Sequence, residues 1–285
     1  MNYDSLIDRL IDLAIEEDIA TGDISTDAII PEHADAIAEM TAKADGVISG
    51  LEIIRRVYER FDDRLGWEPL VADGDAVRKG DIILRVHANY RALLLAERLS
   101  LNILQRMSGI ATATAAFVKE LEDTRTRLLD TRKTAPGLRV LDKMAVRHGG
   151  GMNHRMGLYD MVMLKDNHIK IAGGIPNAMK AVRVNLPVSV KVEVETTNLD
   201  EVRQAIECGA DIIMFDNMSN EMMTEAVRLV AGQAKTEASG NMSIERLKSV
   251  AATGVDYISV GALTHSVKAM DISMNILSKR TNAKN

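Results

Sequence analysis

From residue 127 onward, short apolar runs alternate with stretches whose apolar residues recur at helical spacing. The runs RLLD (127–130), MVMLK (161–165), VSVKVEVE (188–195), DIIMFD (211–216), AKTEAS (234–239) and YISVG (257–261) read as strands. Between most of them lie the amphipathic segments IPNAMKAVRVN, LDEVRQAIECG, NEMMTEAVRLVAG and IERLKSVAATG, several closing on a glycine suited to a left-handed helix end. A repeated βα unit predicts a parallel sheet, and this many repeats favour an α/β barrel over an open one. A doubly wound sheet stays open on pattern alone, although no strand leads into GxGxxG or a Walker loop.

The first hundred residues have a different rhythm. AEMTAKADGVISG reads as a strand entering a turn, and WEPLVADGDAVRKGDIILRV as β-structure bent at two Gly/Asp turns. A long helix is predicted from Tyr90 to Ser108. Leu95, Ala96, Leu99 and Ile103 form one apolar stripe along it, and Leu94, Leu101 and Leu104 a second, so it should be packed on two sides. The domain junction is expected near Ile110.

Composition narrows the function more than the fold. Apolar residues make up 46% of the 285, an ordinary globular balance, and 16 Met compensate for few aromatics as adaptable core filler. The acidic, amphipathic start lacks the pattern of a signal peptide, and no apolar run approaches membrane-spanning length. Cys208 stands alone, so no intrachain disulfide can form; a buried, inert thiol in a cytoplasmic protein is expected. The net charge of −6 hides an asymmetry: between Asp130 and Lys170 eight Lys/Arg face four Asp/Glu. A short basic block without interleaved aromatics suits a small anion and argues against nucleic acid or membrane as partner.

Candidate chemistry gathers where the predicted strands end. Asp130, Arg132 and Lys133 follow the first; Lys165, Asp166 and Asn167 the second; Glu193 and Glu195 the third. Asp216 and Asn217, then Glu237, Ser239 and Gly240, and finally Gly261 close the others. In a βα barrel these ends converge on the face that carries active sites. In VKVEVET the two glutamates share one side of a strand, where a buried parallel strand should be apolar throughout. An edge strand with a wet face is the alternative, and the opposite charges at nearby strand ends favour the functional reading over it. Arg132 offers a fork for a carboxylate and Lys133 a point charge for phosphate. GGGMNHRMGL sets His154 and Arg155 after a glycine hinge, and the SGN and VGA turns offer backbone N–H groups to a phosphate.

The blocks DTRKTAPGLR, GGGMNHRMGLYDMVMLKDNHI, VEVET, ADIIMFDN, EASGN and GVDYISVGALTHS, in this order, resemble the quinolinate phosphoribosyltransferases, as do EEDIATGDISTDAII and ERLSLNILQRMSGIAT. The resemblance covers almost the whole chain. It implies an N-terminal α/β sandwich (1–110, rejoined by a C-terminal helix at 267–285) beside an incomplete TIM-like α/β barrel (111–266). It implies a pentosyl transferase that joins quinolinate to phosphoribosyl pyrophosphate, giving nicotinate mononucleotide, pyrophosphate and CO2 for NAD synthesis. A homodimer, or a hexamer built as a trimer of dimers, is implied too.

Carried over by the same resemblance, Arg132, His154, Arg155 and Lys165 hold quinolinate, with Arg98 reaching in from a partner subunit. Lys133, Glu195, Asp216, Ser239, Gly240, Gly261 and His265 hold phosphoribosyl pyrophosphate. Lys133, Lys165, Glu195 and Asp216 serve catalysis, Glu195 and Asp216 also holding Mg²⁺, a role Glu193 could share. Two alternatives stay open: a same-fold enzyme for another acid (nicotinate phosphoribosyltransferase, or the sister family associated with molybdenum uptake), and a barrel that binds a metabolite without catalysis. The complete NHR and LKDNH blocks favour quinolinate, and the joint presence of Arg132, Lys133, Glu195 and Asp216 speaks for an enzyme.

Overall fold

In chain order the strands are β1 (Asp35–Ala42), β2 (Gly46–Val47), β3 (Gly66–Pro69), β4 (Ala76–Val77), β5 (Ile82–Asn89), β6 (Arg127–Leu129), β7 (Val162–Leu164), β8 (Val192–Thr196), β9 (Ile212–Asp216), β10 (Lys235–Ser239), β11 (Tyr257–Ser259) and β12 (Ile272–Leu277). The computed structural model describes residues 3–277. Contacts divide the chain into two units: 1–113 with 135–150 and 267–285, and 114–134 with 151–266.

The first unit carries an antiparallel sheet in the order β12-β1-β5-β3. In β1, Ala36, Ala38, Met40 and Ala42 are buried while their neighbours are not, the period-two signature of a sheet with one face covered. The helix Leu51–Tyr58 buries Leu51, Ile53, Ile54, Val57 and Tyr58, and the Tyr58 hydroxyl donates to Met274 Sδ on β12. The helix Tyr90–Lys119 continues past the predicted end at Ser108, and the unit boundary falls inside it, after Ala113. Its Gln105 donates to the carbonyl of Ile272. Helices packed on a sheet make this unit an α/β sandwich.

The predicted C-terminal helix is corrected by β12. Residues 272–277 pair antiparallel with β1, Met274 opposite Met40. Ile272 and Met274 are buried and alternate with Ser273 and Asn275, a period of two that the mixed run VKAMDISMNIL obscures. The remainder of that predicted helix, 278–285, lies outside the described residues. The segment 135–150, which falls inside the expected barrel limits, makes its contacts in the first unit. Asp142 there takes a bidentate pair from Arg106, and His148 Nδ1 meets the Ser49 hydroxyl at 2.7 Å.

The second unit is a six-stranded parallel sheet in the order β6-β11-β10-β9-β8-β7. All six predicted strands are present, shorter by a residue or more. The largest trim is in VSVKVEVE, where Val190 N–H turns back to the Pro187 carbonyl and the strand starts at Val192. The helices Ile175–Asn185, Leu199–Glu207 and Asn220–Val230 fall where the apolar spacing put them. Glu193 of β8 and Glu237 of β10 are not on neighbouring strands, yet both reach the imidazole of His154 beside β6. The sheet is therefore curled about an interior, with β6 and β7 as its two end strands: an incomplete barrel. Cys208, expected to be buried, caps the helix Leu199–Glu207 half-buried. Burial and the neighbouring Glu207 raise its pKa, which keeps the thiol protonated and inert.

Candidate active site

The C-terminal ends of the barrel strands open into one cavity of about 240 Å³. Arg132, Lys133, His154, Arg155, Lys165, Glu195, Asp216 and Ser239 all line it. Each owes its place to an inward-facing strand end or to the loop beyond. Glu195 and Asp216 are the last inward positions of β8 and β9. Lys165 stands between β7 and the helix Asp166–Ala172. Gly261 lies beside this group, since a Cβ there would come within 2.9 Å of Lys133 Cδ and 3.2 Å of His265 Cδ2. Gly240 lies against Asn217. Arg98 is exposed on the long helix of the first unit.

Thr131, Met163, Met214 and Ser259 also line the cavity and were not singled out from the sequence. Three of them precede an assigned residue by two positions: Met163 before Lys165, Met214 before Asp216, Ser259 before Gly261. The period of two along each strand would have found them.

The loop bearing His154 and Arg155 is tied down from below. Met152 forms a parallel bridge with Leu129, so the loop runs as a short extension along β6. Asp130, fully buried at the end of β6, accepts from the Asn153 side chain at 2.7 Å and from the His154 N–H at 2.8 Å. The Arg155 guanidinium donates to the Met161 carbonyl at 3.0 Å. Burial and the charge of Arg132 lower the pKa of Arg155, so two guanidinium groups face one space. Such a pair is stable beside an anion.

His154 Nε2 lies 3.0 Å from Glu193 Oε2 and 3.4 Å from Glu237 Oε2, both carboxylates being fully buried. Burial alone would lower the His154 pKa; hydrogen bonds to the two glutamates outweigh it and push it up to about 10. Against an imidazolium stands the Arg155 backbone N–H, which donates to His154 Nδ1 at 2.8 Å. A protonated Nδ1 would set two N–H groups against each other, so the contact decides. The ring carries its proton on Nε2, on the side of the two carboxylates. Burial, then the charge of Glu237, raise the Glu193 carboxyl to about 7.

Glu195 faces the other half of the cavity. Burial raises its pKa, Lys165 opposes that, and the charges of Asp216 and Asp166 add to it. Asn217, in a left-handed conformation (φ 53°), donates to Asp216 Oδ2 at 2.9 Å. The arrangement separates into a cationic side (Arg132, Arg155, Lys165, with Lys133) and an acidic side (Glu195, Asp216). It can bind a compact anion against a group on which positive charge develops.

A parallel barrel with this charge pattern at its strand ends is the frame of an enzyme for small anionic substrates. Residues 23–108 match the family model "Quinolinate phosphoribosyl transferase, N-terminal domain" and residues 110–275 match its C-terminal counterpart. The chain is 44% identical to a Bacillus subtilis protein named probable nicotinate-nucleotide pyrophosphorylase [carboxylating], over 94% of this chain and 92% of that one. It is 46% identical to the chloroplastic nicotinate-nucleotide pyrophosphorylase of Oryza sativa, over 94% of this chain and 76% of that one. The crystal structure of NadC from Streptococcus pyogenes superposes with a TM-score of 0.91 at 42% identity, covering 95% of this chain and 97% of that one. The chain belongs to the quinolinate phosphoribosyl transferase family.

Proposed function

We propose that the strand-end cavity joins quinolinate to phosphoribosyl pyrophosphate, the cationic side taking the pyridine acid and the acidic side the sugar. The protein is a phosphoribosyltransferase of NAD synthesis: it releases pyrophosphate and CO2 and forms nicotinate mononucleotide. The observation that carries the site assignment is the gathering of Arg132, Lys133, Arg155, Lys165, Glu195 and Asp216 around one space of about 240 Å³.

Quinolinate is a dianion, and Arg132, Arg155 and Lys165 offer it two planar forks and a point charge, with His154 beside them. Fixing both carboxylates directs the ring nitrogen at the ribose C1. As the bond from C1 to pyrophosphate breaks and the bond to nitrogen forms, positive charge develops on the sugar. Glu195 and Asp216 stabilise that charge. Lys133 neutralises the departing pyrophosphate, while Ser239, Gly240, Gly261 and His265 hold the 5′-phosphate. Once the ring nitrogen is quaternary, the bond to the adjacent carboxylate breaks; CO2 leaves and the electron pair stays on the ring carbon, which then takes a proton.

Mg²⁺ fits the acidic side. Asp216 and Asp166 act on Glu195 in the direction that a divalent cation would relieve, and Mg²⁺ takes one or two carboxylates together with substrate phosphates. Glu195 and Asp216 would hold it, and it would neutralise pyrophosphate charge. Arg98, exposed on its helix, would complete the quinolinate clamp of a second subunit in a homodimer or a hexamer. A lone half-buried thiol suits a cytoplasmic setting. Coupled release of CO2 and pyrophosphate from quinolinate with Mg²⁺, and none from nicotinate offered in parallel, is the expected assay result. Turnover of nicotinate in place of quinolinate would overturn the reading.

A further inference from the structure

We propose that Glu193 and Glu237 are positioning residues for the pyridine half of the site: from the barrel interior they fix the ring of His154, and through it the start of Arg155. The proposal rests on the quinolinate reading for its substrate and on the geometry for its residues. Both glutamates are fully buried and stand on alternate strands, β8 and β10, where a barrel interior is normally filled by branched apolar side chains. Two buried carboxylates cost stability unless they are matched. Their match is a single imidazole edge, at 3.0 and 3.4 Å. The opposite ring nitrogen accepts from the Arg155 N–H at 2.8 Å.

One ring nitrogen of His154 thus accepts from the backbone, and the other lies against the two carboxylates. The imidazole acts as a rigid spacer between the carboxylate pair and the backbone that launches Arg155. With Asp130, just beyond β6, holding the His154 N–H and Asn153, carboxylates meet two consecutive residues directly and Arg155 through the ring.

The same ligand atoms lie within 4.8 Å of one another, a spacing that could also hold a metal ion. The tautomer decides against it. A histidine bound through Nε2 carries its proton on Nδ1 and donates it to an acceptor. Here Nδ1 accepts, so Nε2 is a donor.

The test compares Glu193→Gln, Glu237→Gln and the double variant E193L/E237L in the full chain, with thermal melts to verify folding. In E193L/E237L the KM for quinolinate should rise about tenfold or more, as for loss of a hydrogen bond to a charged group. The KM for phosphoribosyl pyrophosphate should not move. The single glutamine variants keep volume and an acceptor oxygen, so they remain folded and show a smaller rise confined to quinolinate. Nitrogen-15 NMR of the ring should show one Nε2–H tautomer in the wild type, lost in the leucine pair.

An unchanged quinolinate KM, an equal rise for both substrates, or an intact tautomer in E193L/E237L would each overturn the proposal. So would a stoichiometric transition metal present in the wild type and absent from the variants. A wild-type protein inert toward quinolinate would count against the functional reading instead, and the NMR comparison would still decide this one.

Discussion

The two ends of the barrel are made from the same strands and use polar residues in opposite ways. At the N-terminal ends, polar groups satisfy one another locally. Asp211 accepts from Val192 N–H at 2.8 Å and from Arg183 at 3.0 Å, Thr126 donates to the Val255 carbonyl, and Asp256 takes Lys235 and both donors of Thr236. At the C-terminal ends, like charges are brought together: Arg132 beside Arg155, Glu195 beside Asp216. The first arrangement stabilises a chain fold. The second costs stability until a ligand of complementary charge arrives. Substitutions at the two ends should therefore separate into effects on binding and effects on folding.

The sharpest separation is expected at Arg155. On the proposed clamp, Arg155→Ala would remove one fork and leave a substrate carboxylate without its partner, a loss of about 2–5 kcal/mol for a desolvated charge pair. The dissociation constant for quinolinate should rise by a hundredfold or more by calorimetry, with that for phosphoribosyl pyrophosphate little changed. Equal weakening of both substrates would erase the division of the cavity into two halves.

Gly240→Ala probes the acidic side. Gly240 has φ +98°, and a Cβ there would sit 2.2 Å from Asn217 Oδ1. Asn217 cannot retreat without releasing Asp216, to which it donates at 2.9 Å. A drop of about tenfold in kcat/KM for phosphoribosyl pyrophosphate is expected, with a strain cost on the order of 1–3 kcal/mol. Steady-state kinetics at saturating quinolinate would measure it. Loss of stability with full activity would mean that Asn217 does not position Asp216.

The strand ends were legible in the sequence because a barrel makes them so. Glu193 and Glu195 break an apolar run at inward positions, and Arg132, Lys133, Lys165 and Glu237 stand at or near the ends of predicted strands. What the sequence could not carry was which of these groups meet. Glu193 reads as a second version of Glu195, yet it turns to His154 and Glu237, because the curl of the sheet brings β8 and β10 to one point. Residues 272–277 failed as a helix for a related reason: six residues with a weak alternation become a strand only because β1 offers an edge. Segment 135–150 leaves the expected barrel limits through Asp142, whose bidentate partner Arg106 is remote in sequence.

At the opposite end, Asp211→Ala should cost about 1–2 kcal/mol in urea denaturation, the penalty of leaving the Val192 N–H without its acceptor. Substrate constants should stay at wild-type values. A shift in either KM would mean that the two ends are coupled through β8.

Asp256 gives the smallest effect and the clearest sign. Burial pushes its carboxyl pKa up, but Lys235 and Thr236 outweigh burial and hold it below the ordinary value. A group whose folded pKa is depressed contributes stability above its unfolded pKa and loses it as the pH falls through the folded value. The Asp256 side chain is 32% exposed and its partner Lys235 57%, so screening limits the contribution to less than about 1 kcal/mol. Asp256→Asn should therefore be slightly less stable than the wild type at pH 7. Below about pH 4, where an ordinary aspartate protonates, the two denaturation curves should converge. A difference that persists undiminished into acid would show that Asp256 acts through its backbone-capping geometry, which asparagine only partly keeps, rather than through its charge.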